Sequence, residues 1–133
     1  MSAENKVVLE YIKAINSFDL ETMSQHMHED HMYIGSEGSV TCGKKCMLKT
    51  WETFFNMFPD YTITVEHIIN SGNLVAVFGS IIGSYNGLKG PHIANKVSGP
   101  AAWKIIVEDQ SIKLWQEYSD NTEMTRLIEK DRS

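Results

Sequence analysis

The residues best suited to acid–base chemistry gather near the C-terminal end of this chain, in the run IKLWQEYSDN at 112–121. If that run is a strand, alternate side chains share a face. Ile112, Leu114, Gln116, Tyr118 and Asp120 then fall on one side, and Lys113, Trp115, Glu117 and Ser119 on the other. The first set begins apolar, so it is expected to face inward. That places an amide, a phenol and a carboxylate progressively nearer one end of a pocket. A carboxylate partly withdrawn from water has its pKa raised, and in Asp120 it would be poised to move a proton next to a carbonyl. A bulge between 116 and 120 would turn Glu117 inward instead. Without one, Glu117 faces out and pairs with Lys113 or Lys104.

Asp120 has a second possible use. It precedes Asn121-Thr122-Glu123 and an amphipathic segment, so it can cap that helix, with Glu123 three residues on as in a capping box. A capping carboxylate is held ionised and its pKa falls, the opposite of what a proton shuttle needs. Tyr11 can send its hydroxyl to the same pocket or satisfy it in the core. Trp51, Trp103 and Ile105 read as walls. Trp115, outward by the same parity, is too large to lie bare, which implies a covered outer sheet face and a homodimer.

The segment HMHEDH at 26–31 brings His26, His28 and His31 beside Glu29 and Asp30. Two of these histidines fall at a helix end and the third at a strand start, so their side chains need not converge, and a solvated helix end is expected rather than a metal site. His67 is expected half-buried in a strand, and His92 in a long loop at the pocket mouth. Cys42 and Cys46 are not a CxxC motif and are expected to be reduced thiols.

These residues need elements to position them. Val7, Tyr11, Ile15 and Phe18 step by one helical face. Asp19 can cap a short second helix carrying Leu20, Met23 and Met27. Met47, Leu48, Trp51, Phe54, Phe55 and Phe58 form the stripe of a third, ended by Pro59. HMYIG at 31–35 is short and strand-prone, and SEGS follows as a turn. From 61 the period becomes two. Ser71-Gly72-Asn73 should turn residues 61–70 back into a strand at 74–85, and Asp109-Gln110-Ser111 should join strands at 101–108 and 112–118. Residues 86–99, with three glycines and Pro91, read as an irregular connection. Trp103, Ile105 and Val107 share a face opposite Lys104 and Glu108. A short helix with Met124, Leu127 and Ile128 should close the chain.

Helices first and hairpin-linked strands after predict an α+β fold, a strongly curved antiparallel sheet packed against N-terminal helices. Its concavity would form an internal pocket. The 133 residues suit a single domain over 1–133. Apolar residues make up 42%, ordinary for a globular chain. The 12 basic and 17 acidic side chains are scattered, and no basic stripe exists to neutralise phosphates, so no nucleic-acid partner is expected. No apolar run approaches a membrane span, and MSAENKVVLEYIKAINS does not look like a signal peptide, so a cytoplasmic protein is expected.

Five segments carry a resemblance: LEYIKAINSFDL, FFNMFPDYTITVEHI, INSGNLVAVFGSIIGSY, PAAWKIIVEDQSIKLWQ and the closing YSDN. Together they span about residues 7–121. The chain resembles the SnoaL-like branch of the nuclear transport factor 2-like superfamily, a cone-shaped α+β fold shared with ketosteroid isomerase and scytalone dehydratase relatives. In its polyketide-cyclase members a carboxylate at the end of the final strand acts as acid/base, and Asp120 matches that closing motif. The chain departs from the cyclase pattern at the 109–111 turn, which lacks the usual Asp-Gly, and over 86–99.

Two functions follow as expectations. One is an isomerase, cyclase or dehydratase working by proton transfer without a cofactor, with Asp120 as its catalytic group. The other is a non-catalytic binding or dimeric interaction protein. In both, Tyr11, Trp51, Trp103, Ile105, Leu114, Gln116 and Tyr118 contact a small hydrophobic molecule, and the homodimer forms through the outer face of the sheet.

Overall fold

The computed structural model describes residues 1–87 and 90–132, with side chains described throughout except at positions 42, 90–94 and 132. Four helices and six strands follow in the order α1 (Ala3–Asn16), α2 (Leu20–His26), β1 (Met27–Ile34), β2 (Val40–Cys42), α3 (Lys44–Met57), β3 (Thr62–Ser71), β4 (Leu74–Gly87), β5 (Gly90–Glu108), β6 (Ser111–Ser119) and α4 (Thr122–Arg132). The fold is α+β, with one curved, unclosed sheet ordered β2-β1-β6-β5-β4-β3. It is mixed rather than wholly antiparallel. Strand β1 lies parallel to β6, between it and the edge strand β2.

Helix α1 starts at Ser2, whose hydroxyl accepts from the Asn5 N–H, and buries Val7, Val8, Tyr11, Ile12, Ala14 and Ile15. Phe18, expected on that face, lies past the helix end with φ of 55° and is exposed. Asp19 caps α2 as expected, accepting from the Thr22 N–H at 3.1 Å. Met27, expected on α2, opens β1. Helix α3 turns Met47, Trp51 and Phe55 into the core, and Phe58 follows buried before Pro59.

Strands β4 and β5 form the longest pairing, from Leu74↔Ile106 to Gly87↔Gly90. The irregular connection expected over 86–99 is therefore mostly strand. Glycine and proline breaks were outweighed by a partner strand able to continue the ladder. Position 92 lies in β5, and the His92 side chain is outside the described residues. A bulge between Val65 and His67 bends β3 over Gly79. A Cβ at Gly79 would sit 1.9 Å from the Thr64 carbonyl oxygen, so only glycine fits under that bend. The β5–β6 turn holds Asp109 and Gln110 at φ of 51° and 62°, the paired left-handed conformation of a two-residue hairpin turn.

The core lies between the helices and the concave face of the sheet. Val75, Val77, Ile81, Val97, Trp103, Ile105, Val107, Ile112 and Trp115 face the helices. On the convex face, two lateral rows follow from the register: Met32–Leu114–Ile106–Leu74, and Tyr118–Ala102–Phe78.

Candidate functional site

The site is set by one extra residue in β6. Ile106 pairs with Leu114 and Val107 with Ile112, so Lys113 has no counterpart on β5. This bulge reverses the alternation beyond it. Ile112 faces in, and so do Trp115 and Glu117, which are 0% and 7% exposed. Leu114, Gln116 and Tyr118 turn to the convex face, where Tyr118 is 51% exposed. The expected inward set is thus corrected. Parity counted from Ile112 fails because the bulge follows Ile112 directly, upstream of the 116–120 position considered from the sequence. The surface pairing expected for Glu117 is corrected as well, since Lys113 pairs with Glu108 at 2.8 Å.

Glu117 lies in the wall of a cavity of about 140 Å³ bounded by Tyr33, Met47, Thr50, Trp51, Phe54, Tyr61, Asn121 and Met124. Helix α3 supplies one side, β1 and β6 the floor, and the start of α4 the rim. The rings are set edge-on, with Phe54 at 88° to Trp51 and 87° to Tyr61. Trp103 Nε1 donates to Glu117 Oε1 at 3.2 Å, and Ser119 Oγ lies 2.8 Å from Oε2. Burial pushes the Glu117 carboxyl up, against the pull of Ser119, Trp103 and Tyr61 as donors. Burial also raises the Tyr33 and Tyr61 phenols, and the nearby Glu117 charge adds to it.

Ser119 Oγ is also 3.1 Å from Asn121 Oδ1, yet the hydroxyl has a single proton. Ser36 Oγ stands 3.0 Å from the same hydroxyl, so Ser119 joins Glu117, Asn121 and Ser36 in one polar cluster behind the cavity wall.

Asp120 is placed differently. Its carboxylate is exposed and accepts from the Thr122 N–H at 2.9 Å, and the Thr122 contacts hold its pKa below the usual carboxylate range. This is a turn bond just ahead of α4. Asn121 occupies the capping position expected for Asp120, its carbonyl accepting from the Thr125 N–H. Asp120 does not line the cavity of Glu117. Of the other expected contacts, Trp51 lines the cavity and Trp103 holds Glu117 from behind. Ile105 is fully buried in the sheet's inner face, and Tyr11 is core, its ring centroid 5.1 Å from that of Trp115. Among the described residues the Tyr11 hydroxyl makes no well-formed hydrogen bond, although the Trp51 indole acts on it.

His31 is not part of a solvated helix end. It lies on β1, fully buried, with Nδ1 donating to the Ile112 carbonyl at 2.7 Å. That bond sits where β1 skips between Met27↔Ile112 and Met32↔Leu114, so the side chain bridges a gap in the ladder. Burial lowers its pKa, the Ile112 bond opposing. His26 pairs with Glu10 at 2.8 Å, and His67 is exposed rather than half-buried. Among the described residues no group of three or more His, Cys, Asp or Glu is placed to hold a metal. Cys46 is an exposed free thiol.

A curved mixed sheet, helices across its concave face and a buried acid in an aromatic cavity define the cone-shaped α+β class. The chain belongs to the SnoaL-like domain family, whose model matches residues 8–115. No curated protein matches by sequence. Among solved structures, a candidate SnoaL-like polyketide cyclase from Shewanella denitrificans superposes with a TM-score of 0.79 at 18% identity, covering 98% of this chain and 99% of that one. AclR, a candidate hydroxylase from Streptomyces galilaeus, gives 0.76 at 19% identity, with 96% of each chain covered. A protein of ketosteroid isomerase-like fold from Catenulispora acidiphila, solved with trimethylamine, gives 0.76 at 14% identity over 88% of this chain and 87% of that one. At such identities these likenesses establish the fold.

Proposed function

We propose that this chain binds a small, largely apolar carbonyl compound between α3 and β6 and moves a proton on it with Glu117, without a cofactor. The observation that carries this reading is a carboxyl 7% exposed in a cavity that two phenols share. Burial moves such an acid towards neutrality, where it can both take and return a proton. In its ionised fraction Glu117 removes a proton from the carbon beside the carbonyl. The bond's electrons pass to the carbonyl oxygen, and a hydroxyl of Tyr61 or Tyr33 donates to the enolate that forms. Return of the proton to another carbon completes an isomerisation, while expulsion of a β-hydroxyl from the enolate, protonated by Glu117 so that it leaves as water, is a dehydration.

The alternative is a cone that only holds its ligand. It is favoured by the Trp103 and Ser119 contacts, which occupy both Glu117 oxygens. Deuterium exchange into cyclohexanone beside its carbonyl, followed by proton NMR in D2O, separates the two. The proton-transfer reading expects the wild type to exceed Glu117→Gln by about 10²–10⁴-fold. Equal rates from two proteins that both bind the ketone would leave a binding protein.

Two further expectations belong here as proposals. The convex sheet face, with Leu74, Phe78, Ile82 and Tyr118 exposed, suits a homodimer, although Trp115 no longer argues for one. A reducing compartment such as the cytoplasm suits the free Cys46 thiol. No helix among the described residues is long and apolar enough to cross a membrane.

A further inference from the structure

We infer that the cavity takes a neutral molecule of one ring, carrying a single carbonyl or hydroxyl oxygen, and is closed to fused-ring compounds. This deepens the reading of that cavity as a ligand site and rests on it. Size is the first argument. Pockets for drug-sized ligands occupy roughly 300–1,000 Å³. A cavity of about 140 Å³ is nearer the apolar void of about 150 Å³ that holds benzene in another protein.

The walls are the second argument, because a small cavity excludes larger ligands only if it cannot swell. Trp51 packs on Phe55 with ring centroids 5.4 Å apart, and Phe54 stacks on Phe58 at 5.2 Å. Tyr61 packs on both Trp51 and Phe54. Trp51, Phe55, Phe58 and Tyr61 are all buried, so moving one ring displaces the core behind it. Only the rim, where Met124 is half-buried and Thr50 exposed, has room to give.

Charge is the third. No lysine or arginine lines the cavity, so an anion would enter without a counter-charge beside an acid. Of its polar lining, Thr50 and Asn121 stand at the more exposed side, while the buried Glu117 and Tyr61, with Tyr33, form the inner set that suits one ligand oxygen. The remaining lining at Met47, Trp51 and Phe54 suits the hydrocarbon.

Thermal unfolding and ligand-observed NMR with phenol, cyclohexenone, 2-naphthol and benzoate test this on the full chain. Phenol and cyclohexenone should raise Tm with concentration, as a ligand bound only to the folded state must. Naphthol should bind at least about tenfold more weakly, since overpacking a filled wall costs that much. Benzoate should not bind. Phe54→Ala, at a half-buried wall position, should admit naphthol, and circular dichroism checks that the variant folds. Naphthol binding the wild type as tightly as phenol would overturn the size limit alone. Benzoate binding as tightly would overturn neutrality. If no probe binds wild type or Phe54→Ala, the reading of the cavity as a ligand site falls with it.

Discussion

Glu117 shows how a residue can be plain in a sequence and its role hidden. Its type was evident, but its direction depended on a single-residue bulge at Lys113 that alternation of apolar and polar residues does not reveal. The signal that could have found it was Trp115. An indole on the same parity as Glu117 belongs inside more readily than Tyr118, and giving it more weight than Leu114 would have turned the face over. The buried carboxyl has a cost that pH exposes. Its folded pKa is raised above the unfolded value near 4.5, so between those two values the folded chain holds a proton that the unfolded chain releases. Stability from this group is complete below about pH 4.5 and is lost as pH rises through the folded value. The groups acting on it are Ser119, Trp103, Tyr61 and Glu37. His31 runs the other way. With its pKa lowered from 6.5 by burial, it costs stability as pH falls below that value, and His28 and Lys44 face it. In urea unfolding between pH 4 and 8, Glu117→Gln should gain stability relative to wild type as pH rises. A difference that stays flat across that range would mean that folding leaves the Glu117 pKa unshifted.

At the scale of elements, the sequence carried α1, α2, α3, α4 and both tight hairpins, because helical stripes and turn residues are local signals. It missed what depends on partners. The parallel pairing of β1 with β6 and the continuation of β5 through 90–99 are set by which strand lies alongside, and no local residue encodes that. The β5–β6 turn shows local chemistry overruled. Gln110 occupies a left-handed conformation that glycine adopts freely, at φ of 62°. Gln110→Gly should therefore stabilise the chain by about 0.5–1 kcal/mol in chemical denaturation, the relief of left-handed strain exceeding glycine's entropy cost. Gly79→Ala should act in the opposite sense. Its methyl meets the Thr64 carbonyl, a backbone atom that moves only if β3 shifts, so a loss of about 2–4 kcal/mol is expected. A neutral Gly79→Ala would show that the β3 bend is adjustable.

For the whole molecule, the sheet divides its labour between faces. The concave side builds the core and the cavity, while the convex side presents Phe78 at 46% and Leu74 at 42% exposure. Tyr118, Ala102 and Phe78 lie in one lateral row, with Met32, Leu114, Ile106 and Leu74 in another, and Lys104 and Gln116 between them. In the homodimer proposed above, the apolar rows of two copies would cross about a two-fold axis while the central Lys104 of each reached towards the rim. A stable dimer needs about 800 Å² from each partner. Phe78→Glu puts a charge in the middle of that row without touching the cavity, because its neighbour Val77 is the residue that faces inward. Light scattering should show a dimer for the wild type and a monomer for Phe78→Glu, with phenol binding unchanged. A wild type that remains monomeric at about 100 μM would place the exposed rows outside any dimer of useful strength, because burial on this scale corresponds to micromolar affinity or better. If binding were lost together with the dimer, the cavity would depend on the partner copy, and the two faces would be coupled through the strands they share.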